Sequence, residues 1–204
     1  MKPENKTWII LAAITSAELT PLVWLAKPNV IHFLHALGFG GSHPGTPLGW
    51  ALALLFAAVF AGATASRSPF IREHLLQLTL MKLFVLLVMA PVTGAFEEFY
   101  FRRVLMDTLA HHGSNIGLQI LASAVVFGLV HGIWGLFSRT FRVAAGAIVA
   151  TTLLGLLMAI VYIAAGRSVG PCIVSHALIN AVLEPGLILA AVSGAWRGVH
   201  AQSA

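Results

Sequence analysis

Between Ile116 and Phe137, and again between Val143 and Ala165, the chain runs without a single Asp, Glu, Lys or Arg. A helix of roughly 20 apolar residues crosses the hydrocarbon core of a bilayer, and either stretch is long enough. Within lipid every backbone N–H and C=O must be bonded inside the protein, which leaves helices or closed barrels. Barrel strands alternate in polarity and are about half this length, so unbroken runs read as helices. Composition agrees: 9% of the 204 residues are charged, against about a quarter in soluble domains. So few charges do not cover a soluble core. The expected fold is all-α, a polytopic helical membrane protein with about six to seven transmembrane helices.

The expected spans are Trp8–Ala26, Gly49–Ala65, His74–Val92, Ile116–Phe137, Val143–Ala165 and Val169–Ala191. The first follows Lys2 and Lys6, exceeds a signal-peptide core and ends without a small-residue cleavage site, so it reads as a retained helix. Pro91 and Gly94 break the third, and Glu97–His112 follows as a kinked continuation or as a seventh span. The polar stretch from Lys27 to Pro47 carries His32, His35 and His43 but no Cys or carboxylate, and reads as a surface loop, not a metal site. Lys2, Lys6, Arg67, Arg72, Arg139, Arg142 and Arg197 would share the cytoplasmic side. The net charge of +5 is scattered between apolar runs, a pattern that sets topology and argues against nucleic acid as a partner. The expected setting is multi-pass, in the bacterial inner (cytoplasmic) membrane. A single cysteine, Cys172, allows no internal disulfide and reads as a small apolar packing residue.

Ionised side chains are rare at membrane depth and mark function there. In a helix Glu98 and Arg102 lie four apart and face each other as an ion pair, while Glu97 points about 100° away. One carboxylate is then tied up and the other is free to act as a base. Gly128 and Gly132 form a GxxxG step that lets a neighbouring helix approach His131. His176 and Asn180 share a helical face, which Glu184 continues as a capping or interfacial residue before Pro185. Glu18, midway along the first span, is expected to face the bundle, protonated or hydrogen-bonded. Asp107 reads as locally paired or solvated, His111 and His112 as a helix terminus, and Trp134 as an interface anchor.

Together these groups suit hydrolysis of a peptide bond by an activated water. Glu97 would take the water's proton, His131 would help hold the water, and His176 and Asn180 would donate to the oxyanion. Alternatively Glu97, His131 and His176 would bind Zn²⁺, which acidifies the water directly.

The motifs EExxxR at Glu97–Arg102, FxxxH at Phe127–His131 and HxxxN at His176–Asn180 resemble those of the CPBP family. These are intramembrane proteases named for CAAX proteases and bacteriocin processing, also called the Abi family. The resemblance covers about residues 85 to 185. It implies an all-helical membrane protease with Glu97 as the catalytic carboxylate, His131, His176 and Asn180 around the nucleophilic water, and Glu98 and Arg102 in support. The expected organisation is N-terminal helices over 1–84, without family signature, a protease core over 85–191 and a tail over 192–204. The expected partners are the bilayer and a membrane-anchored protein or peptide substrate. No cofactor is required by this reading; the lack of HExxH favours a glutamate mechanism, with Zn²⁺ as the alternative. Arg103 stands where the family often has glycine. Two competing readings are a non-catalytic scaffold or self-immunity protein of the same fold, and a proton-coupled transporter, which internal repeats or paired broken helices would mark.

Overall fold

The computed structural model describes residues 1–40, 43–75, 77, 79–138 and 140–194. Arg139 and Arg197, assigned above to the cytoplasmic side, lie outside the described residues, as does the tail beyond Gly194. The elements are α1 (Pro3–Ala26), α2 (Val30–Ala36), α3 (Pro47–Arg67), α4 (Pro69–His74), α5 (Leu80–His111), α6 (Ile116–Val130), α7 (Trp134–Ser138), α8 (Phe141–Ala164), α9 (Gly170–Leu183) and α10 (Gly186–Ser193). No strand occurs among the described residues. Five helical stretches are long and apolar enough to cross a membrane, or six if α9 and α10, bent by 48°, count as one. The chain is an integral, multi-pass membrane protein.

Of the two readings of the Glu97 segment, the structure has the continuation: Leu80–His111 runs as one helix of 32 residues. Three other expectations, about this helix and the stretch after Lys27, need correction. Pro91 does not end the helix, because Val85–Met89 winds as a π-helix just ahead. That wider turn makes room where the proline ring would meet the Leu87 carbonyl. A second π-helical segment, Phe99–Met106, follows the glutamate pair. The span also starts at Leu80, not His74; the Thr79 hydroxyl caps it, accepting from the Lys82 N–H at 3.2 Å. Finally, the stretch after Lys27 is not all loop. Asn29 accepts from the His32 N–H at 2.9 Å and caps the short helix α2.

Small residues decide how closely the helices pack. On α3, Gly49, Ala53, Ala57, Ala61 and Ala65 are all buried and recur every fourth position. This stripe faces α9 and α8, and the Ser175 hydroxyl of α9 donates to the Ala53 carbonyl at 2.8 Å. Such close approach is how helices associate where lipid removes the usual hydrophobic drive. α8 packs along α6, and α9 lies against both α3 and α5. The main apolar cluster, with Phe127, Met158, Tyr162 and Ile179, lies between these helices. A smaller one around Leu11, Val85, Met89 and Ile188 joins α1, α5 and α10.

The α6–α8 contact depends on Gly128. A Cβ there would collide with the Thr152 hydroxyl and stand 2.9 Å from the Ile148 carbonyl oxygen. Gly128→Ala is therefore expected to overpack the seam and cost about 1–3 kcal/mol. A lower melting temperature of the detergent-solubilised protein is the predicted result; unchanged melting would show that the two helices separate freely.

At one end of the bundle Asp107 binds Arg167 (2.5 Å) and accepts from the Tyr162 hydroxyl (2.9 Å), while Arg167 also donates to Gln119 (2.5 Å). This network ties the turn after α8 to α5 and α6. Near the other end the Lys82 ammonium donates to the carbonyls of Val182 (2.7 Å) and Glu184 (2.9 Å). It thus satisfies orphan acceptors where α9 stops.

Candidate active site

The EExxxR segment sits midway along α5, so its side chains meet neighbouring helices, not water. Arg102 and Glu98 are fully buried and pair at 2.9 Å between Nε and Oε2. Arg102 also donates to the Ser123 hydroxyl at 2.9 Å, and Ser123 in turn donates to the Phe101 carbonyl at 2.9 Å. The guanidinium lies 5.0 Å from the centre of the Phe127 ring, a favourable cation–π position. The opposite oxygen of Glu98 accepts from His176 Nδ1 at 2.7 Å. Glu98 therefore joins the first motif to the third, across 78 residues of sequence.

Glu97, one residue earlier, points into a different space. Its Oε2 lies 3.6 Å from His176 Nε2 and 3.8 Å from His131 Nε2. Both separations exceed hydrogen-bond range, so the carboxylate stands beside two imidazoles without being locked to either. His131 Nδ1 donates to the Phe127 carbonyl one turn back at 2.8 Å. The same phenylalanine stacks on His131 (4.5 Å between ring centres) and meets His176 edge-on (5.8 Å). The FxxxH spacing thus has a physical content: one ring serves as spacer for Arg102, His131 and His176.

The hydrogen bonds fix the tautomers. A carbonyl only accepts, and so does a carboxylate paired with arginine, so Nδ1 carries the proton in both histidines. In their neutral forms both rings then present an Nε2 lone pair to Glu97. Imidazoles that bind metals have the same outer hydrogen bonds. Yet among the described residues no group of three His, Cys, Asp or Glu is placed to hold a metal ion. The chemistry proposed below uses water and protein groups alone.

Glu97, His131, His176 and Asn180 line a single cavity of about 1150 Å³. Its far wall is α8, where Val143, Gly146, Ala147, Ala150, Thr151 and Leu154 face inward at helical spacing. Arg67 of α3 and Arg142 of α8 stand on its lining, at helix ends assigned above to one side of the membrane. Trp134 also lines it, where the sequence reading had only an interface anchor. Glu184 is buried, lines the same cavity and occupies the C-cap of α9. Arg103 is exposed and does not reach the cavity. His32 and His35, on α2, are likewise not among its lining residues.

A family profile described as Type II CAAX prenyl endopeptidase Rce1-like matches residues 79–182, half of the chain. The chain belongs to this family. The Rce1-like match takes in all three motifs and the whole ion-paired support beneath them, and it is a peptidase-type family. It begins at Thr79, the residue that caps α5, and ends within α9 beyond Asn180. No curated protein and no solved structure matches the chain.

Sequence reasoning missed three contributors to this region. Ser123 and Thr93 have no motif of their own, and the Glu98–His176 contact joins residues that no local spacing relates. The only signal available was that Phe127 and Ser123 lie one turn apart on the helix leading to His131.

Proposed function

We propose that this Rce1-like protein is an intramembrane endopeptidase that cleaves a membrane-anchored protein or peptide with a water activated by Glu97. The single observation that supports this best is the unbonded Glu97 carboxylate, 3.6 and 3.8 Å from two imidazoles of fixed tautomer, inside one cavity. A water between these groups gives one proton to Glu97 and hydrogen-bonds to His131 Nε2, which orients its lone pair at the carbonyl carbon. Asn180 donates its amide N–H to the carbonyl oxygen as negative charge develops there. His176 can donate to the same oxygen only with a proton on Nε2 as well. Glu98 already holds Nδ1–H, so a His176 that keeps a proton on Nε2 throughout the cycle donates from both nitrogens, and Arg102 keeps Glu98 in place for this. Glu98 and Arg102 are supporting residues here and do not touch substrate.

In this reading α1–α4 form the approach to a core that extends from about residue 85 to residue 191. All six apolar stretches span, α9 and α10 together making the last. The N-terminus is cytoplasmic, and the protein resides in a bacterial inner membrane.

Membrane-protein termini compared between cells expressing the wild-type chain and cells expressing the His131→Ala, His176→Ala double variant, at matched membrane abundance, test the proposal. New termini confined to wild type are expected and name the substrate as well. Identical termini would overturn proteolysis in favour of a scaffold or self-immunity role. Turnover in isolated membranes is expected to survive chelator; loss that Zn²⁺ restores would replace the glutamate mechanism with a metal-dependent one.

A further inference from the structure

α1 lies outside the family-matched stretch, yet one of its side chains reaches the site. Glu18 is buried and lines the cavity that holds Glu97, His131 and His176. It accepts a hydrogen bond of 2.6 Å from the Thr93 hydroxyl of α5. Thr93 and Glu97 are one helical turn apart and project to the same side, so Glu18 stands against the turn that precedes Glu97. Packing alone gives no reason for a carboxyl at this place. An apolar side chain would join α1 to α5 more cheaply, since one hydroxyl hydrogen bond returns less than burying the acid costs.

The proposed cleavage also needs a proton donor at the leaving nitrogen, and the motif group that holds a proton by then is Glu97, which took it on the side where water attacks. When the peptide C–N bond breaks, the nitrogen must receive a proton. Glu98 is held by Arg102 and His176. The two imidazoles are committed through Nδ1 and turn Nε2 to Glu97. Glu184 lies a turn beyond Asn180, at the C-cap of α9. Glu73 lines the cavity from α4, at its arginine-bearing end.

We infer that Glu18 is the second working carboxyl of this site, the acid that protonates the departing amine. The inference rests on the proteolytic reading above. Glu97 takes a proton as the water oxygen bonds to the carbonyl carbon. The adduct then collapses: the C–N electron pair goes to nitrogen, and Glu18 transfers its proton there and becomes a carboxylate. The proton on Glu97 returns to Glu18 through water in the cavity. The net change is one water added across the peptide bond, with both acids restored.

The rate at which wild-type-dependent termini appear after induction is the measurement, in cells expressing wild type, Glu18→Gln, Glu18→Asp or Glu97→Gln at matched membrane abundance. Glutamine keeps an acceptor for Thr93 but has no proton to give, so Glu18→Gln is expected to slow cleavage about 100-fold. Aspartate keeps the acid and should recover about tenfold of that loss. Cleavage by Glu18→Gln within about threefold of wild type would reduce Glu18 to a helix-joining hydrogen bond. If Glu18→Gln does not accumulate, Thr93→Val is read instead: about tenfold slowing supports the inference, and an unchanged rate overturns it. Activity that survives Glu18→Gln but not Glu97→Gln sinks this inference alone. Absence of wild-type-dependent termini sinks the proteolytic reading and this inference with it.

Discussion

Glu97→Gln is expected to lower the rate of cleavage by about 10²–10⁴-fold, the usual contribution of a positioned general base. The protein should accumulate in the membrane at its normal level. Glu97 makes no contact within hydrogen-bond range of either imidazole, which stand 3.6 and 3.8 Å away, so the amide removes no bond on which folding depends. Glutamine keeps the shape and one acceptor, but it does not take a proton from water. Purified wild-type and variant proteins, assayed side by side on the substrate that the termini identify, give the ratio directly. Turnover within tenfold of wild type would shift the base to His131 or His176, whose Nε2 atoms face the same space.

Arg102→Ala is expected to have the largest effect on stability. Glu98 is wholly buried, as is Arg102, and removing one member of such a pair typically costs about 3–5 kcal/mol. That is comparable with the entire stability of many domains. The Ser123 hydroxyl and the face of Phe127 would lose their partner at the same time. Low membrane abundance and early melting in detergent are the predicted observations. Arg102→Lys should not restore the wild type, because one ammonium cannot reproduce the planar fork that spans Glu98 and Ser123 while lying over a ring. A stable Arg102→Ala protein that fails to cleave would place Arg102 in the site itself, not beneath it.

These two expectations differ in how far the sequence alone supports them. Four-residue spacing puts Glu98 beside Arg102 and turns Glu97 elsewhere, even though part of the segment winds as a π-helix. The same spacing sets Phe127 under His131, and His176 in line with Asn180. Helix periodicity is local, so contacts within a turn were legible. Contacts between helices were not. Glu98 with His176, Asp107 with Arg167, and Thr93 with Glu18 are separated by 78, 60 and 75 residues, and their meeting depends on which faces pack together. The apolar runs gave the number of helices to within one or two. They did not show that Pro91 would be absorbed by a π-turn, since a proline in a sequence looks the same whether the helix breaks or widens. The helix capped by Asn29 was not legible, because seven residues are too few for periodicity to mark.

The two sides of the cavity are constrained very differently. Apart from Glu97, the motif groups on the α5 and α9 side, Glu98, Arg102, His131 and His176, are held by a neighbour through a ring, a carbonyl or a guanidinium, so a change at one is felt by several. The α8 side is lined largely with small residues, and at Gly146 an added methyl would meet empty space. On the proteolytic reading, chemistry and selectivity are thereby separable: the room available to a guest is set on a wall that takes no part in the proposed proton transfers. New preferences are most readily acquired there, by enlarging or shrinking side chains along one helix while the reacting groups stay where they are.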